Sequence, residues 1–148
     1  MTRKLTFLAI AAAAFSGTAV ADDKVDFEKQ ILPLLEERCM KCHREPYEDS
    51  RGRTKKPKGG LRLDTAEDMM AFKNDDGEAN IVPGKPDEST FVKLIMLPED
   101  DDDVMPPEGK ADHLSDEEVA LVKKWITEGP TFGEWKQTKF TPEGEKVE

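Results

Sequence analysis

Cysteine and histidine are scarce in this sequence, whose 148 residues include two of each. A structural zinc site takes four nitrogen or sulfur ligands. Cys39, Cys42 and His43 lie together, and only His113 lies elsewhere, so carboxylates would have to complete such a site. A disulfide between cysteines so close in sequence would close a tiny loop and add little stability. We therefore expect both thiols to have another chemical use.

Long apolar runs are also scarce, and the longest lies at the beginning of the chain. Arg3 and Lys4 precede an apolar stretch, and small residues ending at Ala21 follow it. This order is typical of a secretory signal peptide, and the stretch is shorter than the roughly 20 apolar residues that span a bilayer. We predict a signal peptide at residues 1–21, a mature chain from about Asp22, and a periplasmic or otherwise exported location. An uncleaved anchor is the alternative.

Basic residues are fewer than acidic ones in the predicted mature chain. The formal net charge is −10, and removal of Arg3 and Lys4 with the signal peptide makes it −12. So acidic a chain is a poor match for nucleic acid, whose phosphates require a basic surface. It favours a partner protein with a basic docking surface, and membrane contact only through partners. The alternative is that the acidic charge only keeps an exported protein soluble.

The first helix is predicted to start at Asp26, a suitable N-cap, and to run towards His43. Pro33 is expected to break or kink it. One row of this helix advances by four residues at a time and joins apolar side chains to the cysteine segment: Ile31, Leu35, Cys39 and His43. One face of this helix therefore carries both apolar core side chains and the reactive side chains of Cys39 and His43.

Three further helices are predicted, and no segment has a convincing strand alternation. Ser115 and Glu118 form a capping box at the start of the last one, which Gly129-Pro130 ends. The predicted helices cover residues 64 or 65 to 72, 87–97 and 115–128. We expect an all-α single domain over residues 22–135, followed by a polar, loosely attached tail over residues 136–148.

Two charged loops separate these helices. Basic residues cluster at 51–58, and five acidic residues follow one another at 99–103. Both are most simply solvated loops. The basic cluster could instead meet acidic groups of a cofactor or a partner, and the acidic run lacks the spaced ligands and glycine of a calcium loop.

The segment Cys39-Met40-Lys41-Cys42-His43 has the Cys-x-x-Cys-His pattern of covalent haem attachment. Cysteines three positions apart can reach the same edge of a porphyrin, and the next residue brings an imidazole to the iron. A redox-active Cys-x-x-Cys pair is the first alternative, but it belongs in a strand–helix setting that this sequence lacks. Inert thiols are the second. One motif predicts one haem c, held by Cys39 and Cys42, with His43 as proximal iron ligand.

Met105 is the candidate for the sixth iron ligand. It precedes Pro106-Pro107, which stiffen the loop and restrict the positions that its thioether can adopt. About sixty residues separate it from His43, enough for the chain to pass round a haem. His113 is the second candidate, and an open iron is the third.

The chain resembles the planctomycete-type cytochrome c domain, a branch of the cytochrome c-like haem proteins. The resemblance spans most of the mature chain and depends on these segments: 25–35, Cys39-x-x-Cys42-His43, Gly59-Gly60-Leu61-Arg62-Leu63-Asp64-Thr65, Val82-Pro83-Gly84-Lys85-Pro86-Asp87, Met105-Pro106-Pro107, Leu114-Ser115 and Trp125-Ile126-x-x-Gly129. It implies about four helices wrapped around one covalently bound haem, with long loops and Met105 as distal ligand. Arg44, where a glycine is frequent, and Pro130, where an alanine is frequent, are departures.

These features favour a mono-haem c-type cytochrome that transfers single electrons between exported or membrane-associated redox partners, and not an enzyme. Two alternatives stay open. One is a haem sensor or peroxidase-like protein with an open or displaceable sixth position. The other is a subunit of a larger respiratory complex.

Overall fold

Helices form most of the regular structure in the computed structural model, which describes residues 24–141 and 146–147. The predicted signal peptide lies outside the described residues. A π-helical turn, Phe27–Ile31, leads into the first helix, and 3-10 turns lie at Lys58–Gly60 and Pro86–Glu88. The remaining elements are α1 (Leu32–Arg38), β1 (Tyr47–Glu48), β2 (Thr54–Lys55), α2 (Ala66–Ala71), α3 (Thr90–Ile95) and α4 (Asp116–Thr127). The prediction of a mostly helical domain is confirmed.

The first helical segment begins at Asp26 as predicted, because its carboxylate accepts a hydrogen bond from the Lys29 amide at 3.2 Å. The predicted break at Pro33 corresponds to a change of helix type directly before it. The chain changes from π to α winding at Leu32, so Pro33 falls in the first turn of α1. A proline is tolerated there because the first amides of a helix have no partner within the helix. Helix α1 then ends at Arg38, and Cys39 is its C-cap.

Helix α2 is capped by Thr65, whose hydroxyl accepts a hydrogen bond from the Asp68 amide at 3.0 Å. Asp64, the other residue proposed as its start, has a different role. It is fully buried, accepts a hydrogen bond from the Glu45 amide at 3.0 Å and pairs with Arg62 at 2.9 Å. The buried carboxylate therefore joins α2 to the segment after the cysteine motif.

Helix α4 begins with the predicted capping box. Ser115 accepts from the Glu118 amide, and the Glu118 carboxylate accepts from the Ser115 amide at 2.8 Å. The same carboxylate binds Arg38, at the end of α1, in a two-pronged ion pair with distances of 2.8 and 3.0 Å. Arg38 also donates to the His113 carbonyl at 3.0 Å. The start of α4 is thereby fixed beside the cysteine motif.

One hydrophobic core joins the helices. Four rings within it connect the two ends of the described domain. Phe27 packs with Trp125, Phe132 and Trp135, with ring centroids 5.3, 4.8 and 5.0 Å away. Among the described residues, no helix is long and apolar enough to cross a membrane.

Two expectations are wrong in part. The predicted loop after His43 contains a small antiparallel hairpin, in which Tyr47 pairs with Lys55 and Glu48 with Thr54. The predicted loose tail is attached over residues 136–141, where the buried Thr138 donates its amide to the Asp64 carbonyl at 2.9 Å. Strands of two residues have too few positions for an alternation to be visible in the sequence.

Candidate cofactor site

An apolar cavity lies between the segment after α1, helix α3 and the loop of Met105. Its volume is about 80 Å³, and it is partly open to the solvent. Its lining residues are Arg38, Cys39, Cys42, His43, Leu61, Leu63, Asn80, Phe91, Leu94, Ile95, Met105, Pro106, Pro107 and Lys110. The cavity therefore brings together all four residues that the sequence nominated for haem binding.

His43 is held in one tautomer by the backbone. Its Nδ1 lies 3.3 Å from the Leu61 carbonyl oxygen, which can only accept, so Nδ1 carries the proton and donates. Burial lowers the pKa of His43, because it disfavours the charged imidazolium. The ring is therefore neutral at pH 7, with a free lone pair on Nε2, as an imidazole metal ligand requires.

The two cysteines are free thiols in the described structure. Cys39 lies at the C-cap of α1, and burial raises the pKa of its thiol to about 12. A redox-active Cys-x-x-Cys pair depends on a cysteine whose pKa is lowered, so Cys39 is a poor match for that alternative. Met40, between the cysteines, is completely buried and anchors the segment in the core.

Met105 reaches the cavity from a loop fixed at two points. Its amide donates to the Leu94 carbonyl at 3.1 Å, which attaches the loop to α3. The preceding residue, Val104, is buried in the structure, and the Met105–Pro106 peptide bond is cis. Met105 itself is partly buried and packs against the core.

His113, the second candidate for the sixth ligand, lines a separate polar cavity. That cavity is lined by acidic residues and by the start of α4, and His113 is absent from the lining of the apolar cavity. The structure thus brings Met105, and not His113, to the cavity of His43.

Sequence reasoning missed two cavity residues with defined contacts. The Leu61 carbonyl orients His43, and a backbone contact of this kind leaves no mark in the sequence. Asn80 is buried and donates its side-chain amide to the Met69 carbonyl at 3.0 Å. An asparagine in a polar connection gives no sign that it will be buried.

Arg44, directly after the motif, is buried although it carries charge, with 5% of its surface exposed. Its guanidinium lies 3.9 Å from the centre of the Tyr47 ring and 4.5 Å from that of Phe140. Its Nε and Nη1 atoms have no hydrogen-bond partner among the described residues. A second pocket, which shares Cys42 and Lys110 with the apolar cavity, lies beside it.

These residues fit a c-type haem in their chemistry. Two free thiols, a neutral imidazole with a free nitrogen and a thioether line one apolar cavity. Among the described residues, no group of three or more His, Cys, Asp or Glu side chains could hold a metal ion without the porphyrin.

Comparison with known protein families finds a similarity. Residues 39–109 match the family described as Planctomycete cytochrome C, and this range includes both the Cys39–His43 motif and Met105. Searches of the curated proteins and of the solved structures found no match. The resemblance predicted from the sequence is therefore confirmed, and the family implies haem c and a role in electron transfer. Over residues 39–109, just under half of its length, the chain is thus similar to the planctomycete cytochrome C family.

Proposed function

We propose that this protein is an exported mono-haem c-type cytochrome that transfers single electrons between redox proteins. Cys39 and Cys42 form the thioether bonds, His43 is the proximal ligand and Met105 the distal ligand. The observation that carries the proposal is that these four side chains line one apolar cavity. The bound haem supplies the change between ferrous and ferric iron.

The chain's own residues orient the ligands and exclude water. Hydrogen bonding of His43 to the Leu61 carbonyl keeps Nε2 available, and it also strengthens the imidazole as a ligand. The Leu94 carbonyl holds the backbone of Met105. Apolar side chains from α3 line the space between them, which favours a low dielectric around the iron.

The lining of the cavity favours electron transfer over peroxidase-like catalysis. Among the described residues that line it, none is a carboxylic acid and His43 is the only histidine. No group other than the proposed iron ligand is therefore available as a general acid or base near pH 7.

The proposed partners are other exported redox proteins. The acidic residues 99–103 are exposed and precede the Met105 loop, so a partner with a basic docking surface would approach on that side. Transfer between such partners slows as salt is added, because salt screens the attraction. Stopped-flow measurement at several ionic strengths tests this part of the proposal.

The ligand assignment is tested by a visible spectrum. The chain is expressed with haem-attachment machinery, and the oxidised protein is compared with Met105→Ala. We expect the wild type to have a sulfur-to-iron charge-transfer band and the variant to lack it. Met96→Ala is the matched control, because Met96 is 53% exposed and does not line the cavity; it keeps the band.

Two results would contradict the proposal. Haem that extracts into acid acetone would show that it is not covalently bound. Rapid binding of carbon monoxide to the reduced wild type, with no charge-transfer band in the oxidised form, would instead favour the sensor or peroxidase-like alternative.

A further inference from the structure

Arg44 is a buried cation without a counter-charge among the described residues. Two other arginines with largely covered side chains each bind a carboxylate. Arg38 binds Glu118 at 2.8 Å. Arg62 binds Asp64 at 2.9 Å. Only 5% of the surface of Arg44 is exposed, yet its Nε and Nη1 atoms have no hydrogen-bond partner among the described residues. A buried donor without an acceptor destabilises a fold, and more so when the group is charged.

Two aromatic rings hold the guanidinium in place without satisfying it. Its central carbon lies 3.9 Å from the centre of the Tyr47 ring and 4.5 Å from that of Phe140. The faces of these rings attract positive charge, but they do not accept the in-plane hydrogen bonds of a guanidinium. Glu45 and Glu48 line a pocket together with Arg44, and neither pairs with it. The hydrogen-bonding capacity of this arginine is therefore unused.

The second pocket that Arg44 lines, here called the basic pocket, gathers positive charge in a chain whose net charge is −10. Its volume is about 410 Å³, within the roughly 300–1,000 Å³ of pockets for small molecules. Among the described residues that line it, none is acidic. Its charged side chains are those of Lys41, Arg44, Lys55, Lys56, Lys58 and Lys110.

Most of these lysines have no counter-charge either. Lys55 lies 3.5 Å from Asp49, whereas the other four form no ion pair among the described residues. Like charges gathered around one space repel each other, and an anion bound there turns that repulsion into attraction. The basic pocket thus has the charge, the volume and the unused donors of an anion site.

We propose that the basic pocket binds a phosphate group, with Arg44 in its wall and the lysines around it. A phosphate carries up to two negative charges and has several acceptor oxygens, so it can bind a guanidinium and more than one ammonium group together. A carboxylate, with one charge and two oxygens, would leave most of these cations unpaired.

This inference goes beyond the proposed function, because the phosphate site lies outside the apolar cavity. Arg44 does not line that cavity, and only Cys42 and Lys110 line both spaces. The phosphate group could belong to free inorganic phosphate or to a small phosphate ester. Both have the same charged group, and the experiment distinguishes them.

The test measures the binding of inorganic phosphate to the holoprotein by isothermal titration calorimetry at constant ionic strength. Arg44→Met weakens binding about tenfold or more, because a charged hydrogen-bond donor is lost. Lys56→Gln/Lys58→Gln also weakens binding, and it changes two exposed side chains that the core does not need. Arg51→Gln is the matched control: Arg51 lies in the same loop, is exposed and does not line the pocket, so this variant keeps the wild-type affinity.

Urea denaturation separates binding from a purely structural role of Arg44. A ligand that binds only the folded state stabilises it more as the ligand concentration rises. Added phosphate therefore raises the urea midpoint of wild type and of Arg51→Gln, and raises that of Arg44→Met much less. Glycerol 3-phosphate is the second probe. Tighter binding than that of inorganic phosphate identifies a phosphate ester as the ligand, and equal or weaker binding identifies free phosphate.

Three outcomes overturn the inference. Phosphate that binds no more tightly than acetate would show that the pocket does not select a phosphate group. Equal phosphate affinities in wild type, Arg51→Gln and the double lysine variant would show that phosphate does not bind in the basic pocket. A urea midpoint that rises equally with phosphate in wild type and Arg44→Met would leave Arg44 a structural role only.

Discussion

Two walls of the cavity, the attachment wall (Cys39–His43) and the methionine loop (residues 104–107), differ in how the rest of the molecule holds them. The attachment wall follows α1 directly, contains the completely buried Met40, and has its carbonyls bound by later segments. Lys58 donates its amide to Cys42 at 3.0 Å and Leu63 to His43 at 2.9 Å. The methionine loop is joined to α3 by the backbone hydrogen bond from the Met105 amide to the Leu94 carbonyl. The buried side chain of Val104 anchors it further.

This difference indicates a division of labour. Met40 anchors the attachment wall in the folded core, so under the proposed function this wall fixes where the haem lies. The methionine loop contributes Met105, Pro106 and Pro107 to the lining of the cavity. We expect changes in the attachment wall to affect haem retention and stability, and changes in the methionine loop to affect mainly the spectrum and potential.

Removal of both thiols gives the largest expected effect. In Cys39→Ser/Cys42→Ser no thioether can form, so all haem extracts into acid acetone. Met105→Ala, on the opposite side of the comparison, keeps its haem covalently bound. Covalent haem in the double serine variant, or extractable haem in Met105→Ala, would abolish the distinction between the two walls.

Truncation of Met40 tests whether the attachment wall is part of the core. Because Met40 is completely buried, Met40→Ala lowers the free energy of unfolding by about 2–5 kcal/mol. Urea denaturation of the holoprotein measures this loss. Met96→Ala, at an exposed methionine, changes stability by less than about 0.5 kcal/mol. Equal stabilities of the two variants would mean that Met40 does not anchor the wall.

Glu118 tests the ion pair that fixes α4 beside the attachment wall. Burial alone would raise its pKa, but hydrogen bonds from the Ser115 amide and from Arg38 outweigh it, so the pKa is lowered. A lowered pKa stabilises the fold above the unfolded value of about 4.3, and this contribution is lost as pH falls through the folded pKa. Glu118→Gln therefore lowers the free energy of unfolding by about 1 kcal/mol at pH 7.

The control for this measurement is Glu117→Gln, in the same first turn of α4 but exposed. Urea denaturation at a series of pH values is expected to show that the difference in free energy of unfolding between wild type and Glu118→Gln disappears below about pH 4. The control is expected to stay close to wild type at every pH. A deficit that stays constant with pH would contradict an electrostatic origin.

The smallest effect is expected beside the methionine loop. Asp102 is exposed and has no hydrogen bond or ion pair among the described residues. Asp102→Asn changes the free energy of unfolding by less than about 0.5 kcal/mol and leaves the spectrum unchanged. A larger decrease in the free energy of unfolding would mean that the acidic run stabilises the methionine loop and is not only a solvated segment.

Local rules predicted the features that depend on a few neighbouring residues. The capping box of Ser115 and Glu118, the N-cap at Asp26 and the Cys-x-x-Cys-His motif all act within one helical turn, so their residue types are sufficient evidence. The gathering of Met105 and His43 at one cavity was also expected, because the family resemblance supplied a relation that spacing alone does not give.

Long-range contacts account for two of the features that were not predicted, and a local change of helix winding accounts for a third. Arg44 is buried because Phe140, far along the chain, covers it. The carboxylate of Asp64 looked like a helix cap, but its burial directs it to Glu45 and Arg62. Pro33 was expected to break the helix. Because α1 begins at Leu32 after the π turn, Pro33 lies in its first turn, where the amides have no partner within the helix. The contacts with Phe140 and Glu45 come from residues distant in sequence, whereas the π turn before Pro33 is a local feature that the helix rules did not anticipate.

The aromatic cluster also determines how this domain can be joined to others. Phe27 is close to the first described residue, and its ring contacts those of Phe132 and Trp135, which follow α4. The cluster therefore holds the segment by which the chain enters the domain against residues 132–135, so a neighbour fused before that segment would lie beside this cluster. None of these rings lines the cavity, so a fused neighbour leaves the cofactor site intact.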